Sequence, residues 1–291
     1  MTTASKSITF LLLTFALSWG VCIGGAAMGM HRSPLAATAV LTLMMAGPAI
    51  AAFICVLAFE KGRRREALGL KWTPNLWWLG AWALAVTLAA LSIVFTLVLS
   101  GRHFVDIGVV ALAAAETALR AQGKDMSEVP PFLVSSEFSY AMALIVGPLI
   151  NTPILVFTEE LGWRGYLHDL WHKAGFWKAS LATGAIWGLW HAPAILLYGL
   201  NYPANREIGV GLFIVFCALL APLMTFIRDK GRSVIAPAIT HGSVNALGGL
   251  TIASVSAPAF PWNGIVGIGG FAALAVLVAA VALTRPSKAA P

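Results

Sequence analysis

Eight stretches of about twenty mostly apolar residues divide this chain, at approximately 8–30, 35–59, 77–100, 139–162, 179–200, 208–227, 233–255 and 265–284. A helix needs about 20 such residues to cross the hydrocarbon core of a bilayer. Of the 291 residues 59% are hydrophobic and 11% are charged, where a soluble domain has about a quarter charged. The expected fold is therefore an all-α integral membrane protein, a bundle of about eight transmembrane helices forming a single domain over residues 1–291. The first stretch has one other reading. Lys6 precedes an apolar run that ends in small residues, as in a signal peptide. The run is long for that, and a retained helix is the favoured expectation.

Charge sets the expected orientation. The net charge is +7, which in a soluble chain would point to nucleic acid. Here the basic residues sit in short segments between apolar runs, so nucleic acid is not an expected partner and the lipid bilayer is. With the N-terminus inside, the inner segments hold Lys6, Lys61, Arg63, Arg64, Arg65, Lys71, Arg164, Lys173, Lys178, Arg228, Lys230, Arg232, Arg285 and Lys288. That is 14 of the 19 basic residues, as the positive-inside rule asks of short loops. The chain is thus expected to be a multi-pass protein of the cell (cytoplasmic) membrane with both termini cytoplasmic. The long connection 101–138 falls outside. Its first half, around Phe104 to Ala121, reads either as a helix along the membrane surface or as a partly ordered loop.

Cys22, Cys55 and Cys217 fall within apolar runs without paired spacing and read as small buried hydrophobes. No nucleotide-binding glycine loop, CxxC pair or HExxH motif is present.

Ionisable groups are costly in the hydrocarbon core, so those found there line cavities and do chemistry. Three clusters break the apolar pattern. The fourth stretch ends in Glu159-Glu160-Leu161-Gly162-Trp163-Arg164, the fifth contains Trp187-Gly188-Leu189-Trp190-His191, and the seventh contains His241-Gly242-Ser243-Val244-Asn245. If the fourth and fifth helices turn near Gly175, Glu160 lies 15 residues before the turn and His191 lies 16 after it, which sets them at one level. His241 follows Gly231 by ten residues, about 15 Å of helix at 1.5 Å per residue. The clusters can thus share one layer. Glu160 and Arg164 are four apart and can pair, while Glu159 is turned about 100° away. His241 and Asn245 are likewise four apart. A carboxylate beside an imidazole can hold a water as general base, and an imidazole with an amide can hydrogen-bond an oxyanion. The bland alternatives are a structural Glu160–Arg164 bridge, a histidine bonded to a backbone carbonyl, and Asn245 as interhelical glue. Trp163, Trp187 and Trp190 read as packing.

These clusters, in this order, resemble the motifs of the CPBP (CAAX protease and bacteriocin-processing, Abi) family of intramembrane proteases. Glu159, Glu160 and Arg164 match its first motif. Trp187 and His191 match its second, with Trp where Phe is common. His241 and Asn245 match its third. The resemblance covers about 139–255. It implies an intramembrane endopeptidase, with its active site inside the bilayer and a membrane-associated protein or peptide as substrate. It implies that Glu159 and His191 activate water, that His241 and Asn245 hold the oxyanion, and that Glu160 is held by Arg164 in support. The family is often labelled metalloprotease. Glu159, His191 and His241 would be the ligands of a divalent metal such as zinc, although no compact ligand motif is present, and a metal-free mechanism is the favoured expectation. Two other readings differ in class: a small-molecule or ion transporter, and a non-catalytic immunity or partner protein of the same family.

Overall fold

A computed structural model describes residues 1–284. Arg285 and Lys288, counted above among the inner charges, lie outside the described residues. Among the described residues helices dominate and no strand forms beyond one isolated bridge between Phe104 and Val255, in keeping with a backbone that must satisfy its own polar groups in lipid. Six helical segments among the described residues are long and apolar enough to cross a membrane: Thr3–Ala27, Pro34–Phe59, Leu76–Ser100, Ser136–Ala174, Phe176–Tyr198 and Arg206–Gly231. Helices stand at the other two expected places as well, but each falls short of that standard. Ile235–Ala253 carries Thr240, His241, Ser243 and Asn245, which dilute its apolar character. Ile268–Thr284 has 17 residues. The eight-span expectation therefore stands as six full-length apolar helices and two weaker ones. The connection 101–138 contains the helix Ile107–Arg120, whose N-terminus is capped by Asp106 through Gly108 N at 2.8 Å.

The chain divides into two compact units. Among the described residues the first comprises 1–81, 153–238 and 277–284, and the second comprises 82–152 and 239–276. In the first unit, the helix Thr3–Ala27 runs beside both motif-bearing segments. Phe10 packs edge-on against Trp163 and Tyr166. Trp171 Nε1 donates to Ser7 Oγ at 2.9 Å, and Tyr198 donates its hydroxyl to the Cys22 carbonyl at 2.9 Å. The turn between the fourth and fifth segments falls at Gly175, with φ of +95°. The helices Phe176–Trp190 and Arg206–Gly231 meet backbone to backbone. A Cβ at Gly188 would stand 2.5 Å from Ile214 Cα, so no larger residue fits there without parting the helices.

Within the second unit, proline chemistry shapes the start of the fourth segment. Pro148 has no N–H to offer the Leu144 carbonyl four residues back. Trp82 supplies the missing donor, its Nε1 standing 2.7 Å from Leu144 O. The segment widens to a π-helix over Met142–Val146 just before this point.

Candidate active site

The glutamate pair sits on a second and longer π-helical stretch, Val156–Leu167. Such i→i+5 stretches are rare, and they concentrate at functional sites. Glu159, Glu160 and Arg164 are 3%, 0% and 1% exposed. Burial of three ionisable groups demands compensation. Arg164 Nη1 donates to Glu160 Oε1 at 3.0 Å. Its guanidinium also stacks 4.2 Å from the centroid of the Trp187 ring, against the electron-rich face that attracts cations. The Arg164 carbonyl accepts from Arg228 Nε at 2.9 Å, which ties the end of the motif to the helix Arg206–Gly231. Glu159 points elsewhere: its Oε2 accepts from Trp187 Nε1 at 2.9 Å.

Motif two is built on a helix break. The helix Phe176–Trp190 stops at His191, and Ala192–Tyr198 follows with Pro193 in its first turn. Proline offers no N–H and crowds the carbonyl four residues before it. The ladder tightens, and His191 N donates to Gly188 O at 3.1 Å. Freed carbonyls then find other donors. His191 Nδ1 lies 2.8 Å from Trp187 O, and Trp19 Nε1 of the first helix donates to Trp190 O at 3.0 Å. The His191 ring stands edge-on between Trp190 and Phe213, with centroids at 4.6 and 4.7 Å. Trp187 thus joins Glu159 to His191, by its side chain on one side and its carbonyl on the other.

The structure brings together Glu159, Glu160, Arg164, Trp187 and His191, all in the first unit. His241 and Asn245 belong to the second, on the helix Ile235–Ala253. His241 is buried and Asn245 is exposed. Gly242, beside His241, accepts from Asn151 Nδ2 at 3.3 Å through its carbonyl. Among the described residues no group of three or more His, Cys, Asp or Glu could hold a metal ion. The sequence reading missed the role of Trp187. An aromatic residue four before the histidine was visible, but the partner of its N–H was not.

Residues 139–247 match the family model described as type II CAAX prenyl endopeptidase Rce1-like. A curated relative from Methanococcus maripaludis, "CAAX prenyl protease 2", is 33% identical over 123 residues, which are 40% of this chain and 45% of that protein. The chain thus spans less than half the length of the relative it matches. All three polar clusters lie inside the matched segment. Over residues 139–247, this multi-pass helical chain is similar to the Rce1-like domain of the CPBP family.

Proposed function

We propose that the chain is an intramembrane endopeptidase that hydrolyses a peptide bond in a membrane-associated protein or peptide. The observation that carries this reading is the linkage of Glu159 and His191 through the single residue Trp187, at 2.9 and 2.8 Å, in a buried setting that also matches a peptidase family. Glu159 and His191 hold the attacking water between them. Glu159 takes a proton as the water oxygen adds to the scissile carbonyl. It returns that proton to the leaving amine nitrogen as the C–N bond breaks. Arg164 holds Glu160 as structural support. His241 and Asn245 donate to the oxyanion, a part that rests on the motif resemblance.

The printed name of the methanogen relative makes CAAX-terminated peptides, with and without a prenyl group, the first substrates to assay. The broader test compares the proteomes of membranes that hold either the intact protein or its Glu159→Ala form. Cleavage products present only with the intact form support the proposal, and identical proteomes with no activity on any CAAX peptide contradict it.

The proposed location is the cytoplasmic membrane with both termini inside. Reporter fusions at Lys71 and Lys230 should read cytoplasmic and a fusion at Lys124 external. An external signal at Lys230 would reverse the orientation.

A further inference from the structure

The aromatic position four residues before the motif-two histidine holds Trp187 in this chain, and its indole does what a phenyl ring there cannot. The Nε1–H reaches Glu159 Oε2 at 2.9 Å, with both side chains buried. The ring face carries the Arg164 guanidinium at 4.2 Å, and Arg164 in turn holds Glu160 at 3.0 Å. The two adjacent glutamates are therefore closed into one circuit through Arg164 and Trp187. The Trp187 carbonyl accepts from the His191 ring at 2.8 Å.

A carboxylate at the end of a glutamate side chain has three torsions to lose before it presents its oxygens in one direction. A general base works only when its lone pair meets the proton it removes, and small misplacements are expensive in rate. We infer that Trp187 is a positioning residue that fixes the direction of the Glu159 carboxylate and, through the same residue, the ring of His191. This inference rests on the reading of Glu159 as general base. Trp187 touches no reacting atom. It acts through the two groups that do. The stacked guanidinium holds the indole plane, so the N–H direction is itself constrained.

The test is Trp187→Phe in the full chain, assayed on a cleaved peptide. The phenyl ring keeps the apolar body and loses the donor. Hydrogen bonds to charged groups correspond to roughly a ten- to hundredfold effect, so kcat should fall by that factor with KM unchanged. Trp163→Phe is the control for lost volume. Trp163 is equally buried, and its indole nitrogen has no hydrogen-bond partner among the described residues, so this variant should keep its kcat. A spectroscopic reading avoids dependence on turnover. In protein labelled with ¹⁵N at its indoles, the resonance lost in Trp187→Phe should shift in Glu159→Gln. If Trp187→Phe does not accumulate, benzothienylalanine at position 187, which replaces the N–H by sulfur and keeps the bicyclic shape, serves for both readings. A kcat equal to that of the Trp163→Phe control, or an indole resonance indifferent to Glu159→Gln, overturns the inference. If Glu159→Gln is inactive while Trp187→Phe turns over normally, only the positioning role fails. If Glu159→Gln itself remains active, the peptidase reading fails with it.

Discussion

His191 Nδ1 stands 2.8 Å from the carbonyl oxygen of Trp187, one helical turn earlier in the chain. A carbonyl can only accept, so Nδ1 carries the proton and Nε2 is left as the basic nitrogen. The carbonyl is available because the ladder tightens at this point, with His191 N bonded to Gly188 O, ahead of a proline that donates nothing.

That relationship predicts the effect of Pro193→Ala. Alanine restores a backbone N–H and lets the helix run on, so the Trp187 carbonyl returns toward the ladder and the ring loses its tether. Peptide cleavage should be several-fold slower, with the amount of protein in the membrane unchanged by immunoblot. An unaltered rate would mean that the break is incidental to the site.

Arg164→Ala should act on stability. It leaves the carboxylate of Glu160, 0% exposed, without its ion-pair partner, a change that typically costs about 3–5 kcal/mol. Detergent-solubilised protein should melt earlier and accumulate less. Arg164→Lys should fall between the two, because it keeps the charge but loses the planar fork and the stack on Trp187. Pairing Arg164→Ala with Glu160→Gln should recover part of the loss. A fully stable single variant would contradict the structural role.

A third prediction concerns acid. Glu60 accepts from Lys6 at 2.7 Å and from Arg63 at 3.0 Å, and Arg63 reaches on to Asp169 at 2.8 Å. The network joins the first helix, the end of the second and the segment that carries the glutamate pair. Burial pushes the Glu60 carboxyl up, but the hydrogen bonds and charges of Lys6 and Arg63 together outweigh it and hold it below its ordinary value of 4.5. A lowered folded value means that the stabilisation is complete above pH 4.5 and is lost as the pH falls through the value in the folded state. Melting temperature in detergent should therefore be insensitive to this group above pH 4.5 and decline below it. Glu60→Gln should lower stability at neutral pH and flatten the acid decline. An acid decline that survives intact in Glu60→Gln would assign it to another group.

Much of this arrangement is legible in the sequence. The apolar runs mark where helices fall, Gly175 marks the turn, and the four-residue spacing of Glu160 and Arg164 announces their contact. Three things are not legible, each for a physical reason. Apolar periodicity cannot separate an i→i+4 from an i→i+5 ladder in a run as uniformly buried as Val156–Leu167. The use of the Trp187 N–H depends on a partner 28 residues away, so it is invisible to any local rule, and packing is the natural reading of a tryptophan between apolar neighbours. The break at His191 ahead of Pro193 interrupts a stretch that reads as one span, and the redirection of its carbonyls to a histidine ring and to Trp19 depends on tertiary neighbours.

In the proposed mechanism Glu159 acts as the general base. Glu159→Gln keeps the size of the side chain and an oxygen to accept from Trp187, and removes the basicity. The measurement is the rate of peptide-bond cleavage by purified Glu159→Gln protein beside the intact protein, on a substrate found in the comparative proteomes. General acid–base catalysis is worth typically 10²–10⁴-fold, so the variant should accumulate normally in the membrane and cleave slower by about that factor. A well-folded Glu159→Gln protein that cleaves as fast as the intact one would mean that Glu159 is not the base.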